Sequence, residues 1–260
     1  MHFLQSLSLF FFLLFTLSDS VVQVSDDGGD TMQLFATYGD ELVLRGVVNS
    51  ADPSILVDEF SILISDIMNS FGSTTEEEED PIKVFKAGLN TGEVEFHQIS
   101  TKKSISFDIA EPDLGLISWH KTRNLQLDSA VHSRTRAMYG SPYKFLQHFK
   151  EDGIRFNVII EDVFDGDEAE RTELGDVPHI SLLKNSVLDT DSLVIRHVYN
   201  ESNGVSIART ERYKRLFGAS VILFITNHPM HQLIVSKRGI SCDQVSVSLE
   251  TDVSVSCHNA

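Results

Sequence analysis

The longest apolar run after the N-terminal segment covers residues 220–226. β-branched and aromatic side chains dominate this run, Gly218 precedes it, and the turn-forming residues 227–229 follow it. Such a pattern predicts a strand that is buried on both faces. A strand of this kind is typical of the interior of a sheet that has further layers above and below it.

Shorter apolar segments recur along the rest of the chain and predict further strands. In residues 93–99 the side chains of Val94, Phe96 and Gln98 alternate with more polar neighbours, which is typical of a half-exposed antiparallel strand. Residues 180–188 fit either a helix or a strand. The other predicted strands are residues 32–37, 41–48, 82–87, 104–109, 116–120, 124–131, 156–164, 193–199, 205–213, 231–237, 245–249 and 253–257.

Two segments carry a helical pattern. Apolar residues recur at spacings of three and four through residues 53–71, which predicts an amphipathic helix. Asp52 can cap this helix and Pro53 suits its first turn. Gly72 is placed to end it. A second, shorter helix is predicted over residues 142–150.

Many short strands with few helices predict an α+β fold that is predominantly antiparallel β, a sandwich or layered sheet with two short helices. The alternative is a mixed α/β sheet. The glutamate-rich residues 73–81 have no apolar anchor and predict a solvated acidic linker or loop. This linker would divide an N-terminal β/α segment, residues 21–72, from a β-rich domain, residues 82–260, unless residues 21–260 form one domain.

Residues 1–20 predict a cleaved signal peptide. They are almost entirely apolar up to Leu17 and end in the small residues Ser18 and Ser20 around Asp19. The run is shorter than the roughly 20 apolar residues that a membrane span needs, and a signal anchor is the alternative. We therefore expect entry into the secretory pathway, a secreted or extracellular location, and no stable membrane insertion.

The charge of the chain limits its partners. The 260 residues include 21 Lys and Arg against 38 Asp and Glu, for a formal net charge of -17. A negative field of this size repels phosphate backbones and anionic lipid surfaces, so we do not expect binding to nucleic acid. It favours basic partners or divalent cations, although solubility alone also accounts for it. The composition does not indicate an oligomeric state.

Both cysteines, Cys242 and Cys257, lie near the C-terminus. Because the secretory route is oxidising, we predict that they form a disulfide that clips the hairpin of the last two predicted strands. A pair of buried thiols is the alternative. Asn200 begins the sequon Asn-Glu-Ser, which predicts an N-linked glycan in a turn.

The clearest candidate for a chemical site is acidic. Glu161 and Asp162 end a predicted buried strand, and four more carboxylates follow directly: Asp165, Asp167, Glu168 and Glu170. Carboxylates that converge on a loop can hold Ca²⁺ or Mg²⁺, or can separate their pKa values for acid-base chemistry. The glycine position does not match an EF-hand, and a solvated acidic loop is the simpler interpretation. No other cofactor is predicted.

The histidines His228 and His231 are a weaker candidate, for zinc. Two histidines three residues apart share a face only on a helix, whereas these lie across a predicted turn and should diverge. No third ligand is fixed by the spacing. The sequence also lacks a nucleophile elbow, a zinc-protease helix, a P-loop and the G-x-G-x-x-G fingerprint of dinucleotide-binding proteins. Trp119 and His120 could line a pocket, but a single Trp is more often a core residue.

These observations favour a secreted, acidic, β-rich glycoprotein that acts as a non-enzymatic binding module for an extracellular protein or glycan. The first alternative is a secreted hydrolase that uses the acidic residues after Phe164, with a divalent cation. The second alternative is an assembly factor of the endoplasmic reticulum lumen. No residue is assigned a catalytic role.

Overall fold

The computed structural model describes residues 22–26, 30–38, 41–52, 54–72, 81–102, 104–127, 133–165, 169–170, 177–187, 192–199, 203–225, 231–248 and 253–259. The strands are β1 (Val22–Asp26), β2 (Thr31–Tyr38), β3 (Glu41–Asn49), β4 (Ile82–Ala87), β5 (Ile105–Glu111), β6 (Thr135–Tyr139), β7 (Val158–Glu161), β8 (Phe164–Asp165), β9 (Ala169–Glu170), β10 (Leu193–Tyr199), β11 (Ser220–Ile225), β12 (His231–Ser236) and β13 (Val255–Asn259). The helices are α1 (Glu59–Phe71), α2 (Glu93–Thr101), α3 (Leu114–Leu127), α4 (Pro142–Glu151), α5 (Val177–Ser186), α6 (Asn203–Phe217) and α7 (Cys242–Ser248).

Eight of the described strands form one mixed sheet in the order β13-β11-β12-β10-β7-β4-β5-β6. The strands from β10 to β6 are parallel, whereas β12, β11 and β13 pair antiparallel with their neighbours. The chain runs outward from β4 through β5 to β6 and then crosses to β7 and β10 on the other side of β4. In open α/β sheets, ligands bind beside the carboxyl ends of the strands at such a point of reversal.

Helices cover both faces of this sheet, which is why its inner strands are nearly continuous apolar runs. Successive side chains of a strand point to opposite faces, so Val84 of β4 belongs to one buried cluster and Phe85 to the other. The first face packs against α1, α2 and α3, and the second packs against α4, α5 and α6. The core therefore consists of two apolar layers with the sheet between them.

β1, β2 and β3 form a separate antiparallel meander. The strands predicted at residues 32–37 and 41–48 are confirmed as β2 and β3. Leu34 of β2 is fully buried and belongs to the first apolar cluster. A Cβ atom on Gly46 of β3 would lie 2.6 Å from Thr91 Cγ2, so the meander packs directly against the loop that follows β4.

The predicted predominantly antiparallel architecture is wrong, and the alternative, a mixed α/β sheet, is the one that the structure has. The error arose where helices were predicted as strands. Residues 93–99 lie in α2, and residues 116–120 and 124–127 lie in α3. Residues 205–213 lie in α6, and residues 245–248 lie in α7. In α2 both polar and apolar side chains are buried, Glu93 and Glu95 included, so no exposed polar stripe marks this segment as a helix.

Other elements follow their sequence patterns. The strand predicted at residues 220–226 is confirmed as β11, which lies inside the sheet between β12 and β13. The helix predicted at residues 142–150 is confirmed as α4. The helix predicted from residue 53 instead begins at Glu59, because Asp58 accepts a 2.9 Å hydrogen bond from the Ser61 N–H and is the N-cap. Gly72 ends this helix as predicted.

Cys242 of α7 and Cys257 of β13 form a disulfide, with their Cα atoms 5.5 Å apart. It joins a short helix to the edge strand of the sheet, not the two strands of a hairpin, since the first of those predicted strands is helical. Within the described ranges, no helix combines the length and the apolarity that a membrane span requires. Residues 1–20 and 73–80, which hold the predicted signal peptide and nearly all of the acidic linker, lie outside the described residues.

Candidate functional site

A short glycine-bounded loop, Gly88 to Gly92, connects β4 to α2 at the point where the sheet order reverses. Gly88 has a φ of +91°, and a Cβ atom there would lie 2.0 Å from the carbonyl oxygen of Asp162. Its N–H donates to the carbonyl oxygen of Ala110 at 2.9 Å. Only glycine allows this close approach between the loop and the neighbouring strand ends.

The remaining residues of the loop are fixed by side chains from other elements. Asn90 adopts a φ of +48°, and its amide group donates to both the carbonyl oxygen and the carboxylate of Asp162. The guanidinium of Arg45, on β3, donates to Asn90 Oδ1. Gly92 has a φ of +72°, and a Cβ atom there would lie 2.6 Å from the imidazole of His120, which is buried on α3.

Glu111 is the last residue of β5 and lies beside this loop. Its two carboxylate oxygens accept hydrogen bonds of 2.7 Å from the backbone N–H groups of Leu89 and Asp113. Burial raises the pKa of Glu111, and the positive charge of Arg45 acts in the opposite direction. A carboxylate is therefore held at the carboxyl end of β5, next to the turn at the end of β4.

Lys86 and Glu95 form a fully buried ion pair beneath the loop, with Nζ and Oε1 2.9 Å apart. Lys86 Nζ also donates to the carbonyl oxygen of Leu89 at 3.2 Å. The pair links the end of strand β4 to the first turn of helix α2. Since breaking a buried pair leaves an uncompensated charge, this arrangement fixes the position of the loop.

Asp162, directly after β7, is the centre of a second polar group at the same edge of the sheet. Its Oδ1 lies 2.9 Å from Nδ1 of His197, and Nε2 of His197 lies 2.9 Å from Nδ1 of His231. His231 begins β12, which runs antiparallel to β10, so its first residue meets the carboxyl end of that strand. Phe60 of α1 stacks on the His197 ring at a centroid distance of 4.5 Å.

Burial opposes the ionisation of Asp162, but hydrogen bonding and charge outweigh it. The hydrogen bond and charge of His197, together with the charges of Lys86 and Arg45, lower the pKa of Asp162 to about 2. Asp162 is therefore ionised at neutral pH. At Asp58, at the start of α1, burial outweighs the hydrogen bonds from Ser61 and raises the pKa.

Glu161 points to the opposite face of the sheet and takes part in a different network. Its carboxylate contacts Nε2 of His179, and it accepts from Arg196 at 3.1 Å and from the Tyr213 hydroxyl at 2.9 Å. All four side chains are buried. This network lies among the helices α5 and α6, away from the Gly88 to Gly92 loop, so we assign it a structural role.

The acidic metal site predicted around residues 161–170 is not seen in the part of the chain that the structure describes. Asp162 is hydrogen-bonded to His197 and Asn90. Asp165 and Glu170 lie in the short hairpin of β8 and β9, and Asp167 lies outside the described residues. Among the described residues there is no cluster of three His, Cys, Asp or Glu side chains that could hold a metal ion. The glycosylation predicted at Asn200 and the zinc partner His228 also fall outside these residues.

Sequence reasoning missed the candidate site at this edge of the sheet. The sequence pattern treats the Gly88 to Gly92 loop only as the gap between the strands predicted at residues 82–87 and 93–99, because the helix that follows was predicted as a strand. The apolar run of β4, the glycine-bounded loop and the acidic end of β5 at Glu111 together form a strand-loop-helix-strand pattern that could have indicated a nucleotide-type site. His197 carried no signal, since nothing in the sequence places it beside His231.

No protein-family model and no curated protein sequence matches the chain. Solved structures do match. The probable spermidine synthase of Corynebacterium glutamicum is 12% identical, with 95% of this chain and 90% of that chain covered and a TM-score of 0.75. The spermidine synthase of Thermotoga maritima is 13% identical, covering 93% and 79%, with a TM-score of 0.55. Human methyltransferase-like protein 13, in complex with SAH, is 11% identical, covering 74% and 86%, with a TM-score of 0.57.

These likenesses correct the functional prediction. The proteins that have this architecture are named as synthases and methyltransferases, which contradicts the prediction of a β-rich, non-enzymatic binding module. Identities of 11–14% show a common fold and do not carry an activity from one chain to another. The chain thus has the fold of spermidine synthases and SAM-dependent methyltransferases.

Proposed function

We propose that the chain binds an adenosyl sulfonium nucleoside at the carboxyl edge of β4 and β5 and transfers a group from it to an acceptor. The observation that carries this proposal is the Gly88 to Gly92 loop at the reversal point of the sheet, with the carboxylate of Glu111 at the end of the next strand. Glu111 follows Gly92 by 19 residues (111 − 92). An acidic residue about 20 residues after such a loop binds ribose hydroxyls in dinucleotide-binding folds.

The chemistry of Glu111 fits a ribose. Each carboxylate oxygen has about two acceptor positions, and each accepts one backbone N–H here. One acceptor position therefore remains on each oxygen, which matches the two neighbouring hydroxyls of a ribose. The same backbone bonds hold the carboxylate in place before any ligand binds.

The charges at the carboxyl ends of β4, β5 and β7 suit a positively charged ligand. Three acidic side chains lie around this edge of the sheet: Asp162, whose pKa is lowered to about 2, the buried Glu111, and the half-buried Asp58. A sulfonium centre is positively charged, and this charge makes the carbon attached to it reactive toward a nucleophile. Solved structures of the same fold support this assignment: one is named as a complex with SAH and another as a complex with the transition-state analogue AdoDATO.

Titration of the purified protein with S-adenosylhomocysteine tests the proposal. We expect saturable binding by calorimetry and a rise in unfolding temperature with ligand concentration, since binding to the folded state alone stabilises it by roughly 2.7 kcal/mol at 100 times Kd. Glu111→Gln should weaken binding about tenfold, because ribose loses a charged hydrogen-bond acceptor. Asp108→Asn, on the same strand but in a surface pair with Arg136, is the matched control and should bind like the parent. No binding of S-adenosylhomocysteine, S-adenosylmethionine or its decarboxylated form by the folded parent would refute the proposal.

We also propose that residues 1–20 direct the chain into the secretory pathway. The disulfide between Cys242 and Cys257 supports this, because disulfides persist mainly in oxidising compartments. The mass of the N-terminus after expression in a secreting eukaryotic cell tests it, and a product that keeps Met1 would contradict it. The predicted protein or glycan partner, the absence of nucleic-acid binding and the glycan at Asn200 stay predictions.

A further inference from the structure

Three side chains from separate elements form a continuous hydrogen-bonded chain beside the proposed nucleoside site. Asp162 Oδ1 and His197 Nδ1 are 2.9 Å apart, as are His197 Nε2 and His231 Nδ1. The first end of the chain touches the Gly88 to Gly92 loop, because Asn90 donates to Asp162. The loop and His231 are therefore connected through two intervening side chains.

The ionised state of Asp162 fixes the direction of both hydrogen bonds in this series. An ionised carboxylate only accepts, so Nδ1 of His197 must carry the hydrogen. A neutral His197 then presents the lone pair of Nε2, which accepts from Nδ1–H of His231. Nε2 of His231 is consequently a hydrogen-bond acceptor. His231 is half-buried, whereas His197 is only 6% exposed.

Aromatic and charged side chains surround the two histidines. Phe60 stacks on His197 at a centroid distance of 4.5 Å and lies 4.7 Å from the centre of the His231 ring. Asp58 and Asp162 supply negative charge close to His197, and Lys86 and Arg45 are the cations whose fields reach Asp162. The two hydrogen bonds give a proton that enters at His231 a path to His197, which lies next to the Asp162 carboxylate.

We propose that Asp162, His197 and His231 are a proton relay, with His231 Nε2 as the base that takes a proton from the acceptor of the transfer reaction. This inference rests on the proposed function. The acceptor's nucleophilic atom forms a bond to the transferred carbon while the bond from that carbon to sulfur breaks, and the electron pair of the broken bond returns to sulfur. The proton of the nucleophile goes to His231, so charge and atoms balance. The acceptor is accordingly one whose nucleophilic nitrogen, oxygen or sulfur carries a proton that must be removed.

Asp162 and His197 are positioning residues in this scheme, and their effect is visible in the tautomers. Long-range ¹H–¹⁵N NMR of histidine-labelled protein should show His197 and His231 both protonated on Nδ1 and not on Nε2 at neutral pH. In Asp162→Asn the side-chain oxygen stays with the Asn90 donor, so the new amide donates to His197 Nδ1. This reverses His197 and then His231 to the Nε2–H form. His148→Gln, which removes a histidine that is 71% exposed, should leave both tautomers unchanged.

Reactivity supplies a second measurement. His231 should react with diethyl pyrocarbonate at Nε2, and Asp162→Asn should slow this reaction about tenfold by placing a hydrogen on that atom. If the Asp162→Asn variant does not fold, the His231→Asn variant is measured in its place. The side-chain amide that this variant introduces would still donate to His197 Nε2, so His197 should stay protonated on Nδ1. A parent in which His231 carries its hydrogen on Nε2, or an Asp162→Asn variant with unchanged tautomers, would overturn the relay. Correct tautomers in a protein that binds no adenosyl nucleoside would instead overturn the proposed function and the role assigned to His231.

Discussion

Two neighbouring carboxylates at the end of β7 show how much a single position decides. Glu161 and Asp162 point to opposite faces of the sheet, because side chains alternate along a strand. Glu161 meets His179, Arg196 and Tyr213 in a closed buried network, whereas Asp162 meets Asn90 and a histidine at the sheet edge. Residues that are adjacent in sequence therefore serve stability in one case and the candidate site in the other.

Glu161 should make the free energy of unfolding sensitive to acid. Burial would raise its pKa, but the charges of His179 and Arg196 and hydrogen bonds from His179 and Tyr213 lower it from 4.5 to about 2. A carboxyl whose pKa is lowered in the folded state stabilises it above pH 4.5, and this contribution is lost as pH falls toward 2. Asp162 acts in the same direction, whereas Glu111 and Asp58, whose pKa values are raised, act in the opposite one.

Urea unfolding of the parent and of Glu161→Gln at pH 5 and pH 3 tests this expectation. The variant should be less stable at pH 5 by roughly 3 kcal/mol, because Arg196 keeps its buried charge without a carboxylate. Its loss of stability between the two pH values should be smaller than that of the parent by about 2 kcal/mol. Equal pH dependence in both proteins would show that Glu161 is not the titrating group.

Gly88→Ala should destabilise the protein more than its backbone conformation alone explains. The new methyl group would collide with the Asp162 carbonyl oxygen, which belongs to the backbone and cannot rotate away. Gly218 is the matched control, since it has the same φ of +91° and no atom lies within 4 Å of the place that a Cβ would occupy. We expect Gly218→Ala to cost about 1 kcal/mol and Gly88→Ala at least about 3 kcal/mol in urea unfolding. Similar costs for the two variants would contradict the close approach.

At the scale of elements, the candidate site depends on strand ends and helix starts. The loop after β4, the last residue of β5 and the residue after β7 meet because these parallel strands all end at one edge of the sheet. α1 adds Asp58 and Phe60 from its first turn. The position at which α1 begins therefore decides whether Phe60 reaches the histidines.

The start of α1 can be tested by comparing its two candidate caps. Asp58→Ala should cost about 1 kcal/mol, since the Ser61 N–H loses its acceptor. Asp58→Asn keeps an acceptor and removes a charge whose pKa burial has raised, so it should be at least as stable as the parent at pH 7. Asp52→Ala should change stability by less than about 0.5 kcal/mol, because the Asp52 carboxylate accepts from the neighbouring Ser54 in an exposed turn. A larger cost for Asp52→Ala than for Asp58→Ala would restore the helix start predicted from the sequence.

At the scale of the whole molecule, the sheet has one edge that depends on a covalent link. β13 is an outer strand and pairs only with β11 among the described strands. Cys257 of β13 is tied to Cys242 of α7, while the Cys242 N–H donates to Asn259 Oδ1. The disulfide therefore holds the last strand on a sheet whose other elements are secured by their apolar clusters.

Removal of the disulfide should loosen this edge before it unfolds the protein. For a separation of 15 residues, the loss of chain entropy in the unfolded state corresponds to about 3 kcal/mol of stabilisation. In a Cys242→Ser/Cys257→Ser variant we expect hydrogen exchange to accelerate in residues 255–259, and the exchange of the amides in β4 and β7 to change much less. Binding of S-adenosylhomocysteine should persist, since the candidate site lies at other strands. Uniform acceleration across the sheet would show that the disulfide stabilises the whole fold instead.

The sequence by itself determined the apolar strands, the helix α4, the end of α1 at Gly72 and the position of the two cysteines, since these features depend on local patterns of side chains. It did not determine that α2 and α6 are helices. α2 is surrounded by protein, so Glu93, Glu95 and Gln98 are buried together with the apolar residues and the helical period disappears. The Gly88 to Gly92 loop was only a gap between two predicted strands, since its role depends on the helix that follows it.

Only the tertiary structure decided which polar residues work together. Arg45, Asn90, Asp162, His197 and His231 are spread over most of the chain, and the crossing from β6 to β7 brings them to one edge of the sheet. Glu161 and Asp162 are adjacent in sequence but do not share a site, because strand alternation turns them to opposite faces of the sheet. Proximity along the chain reflects local backbone geometry, whereas a site at the end of a parallel sheet is assembled by the order of its strands, which no local pattern encodes.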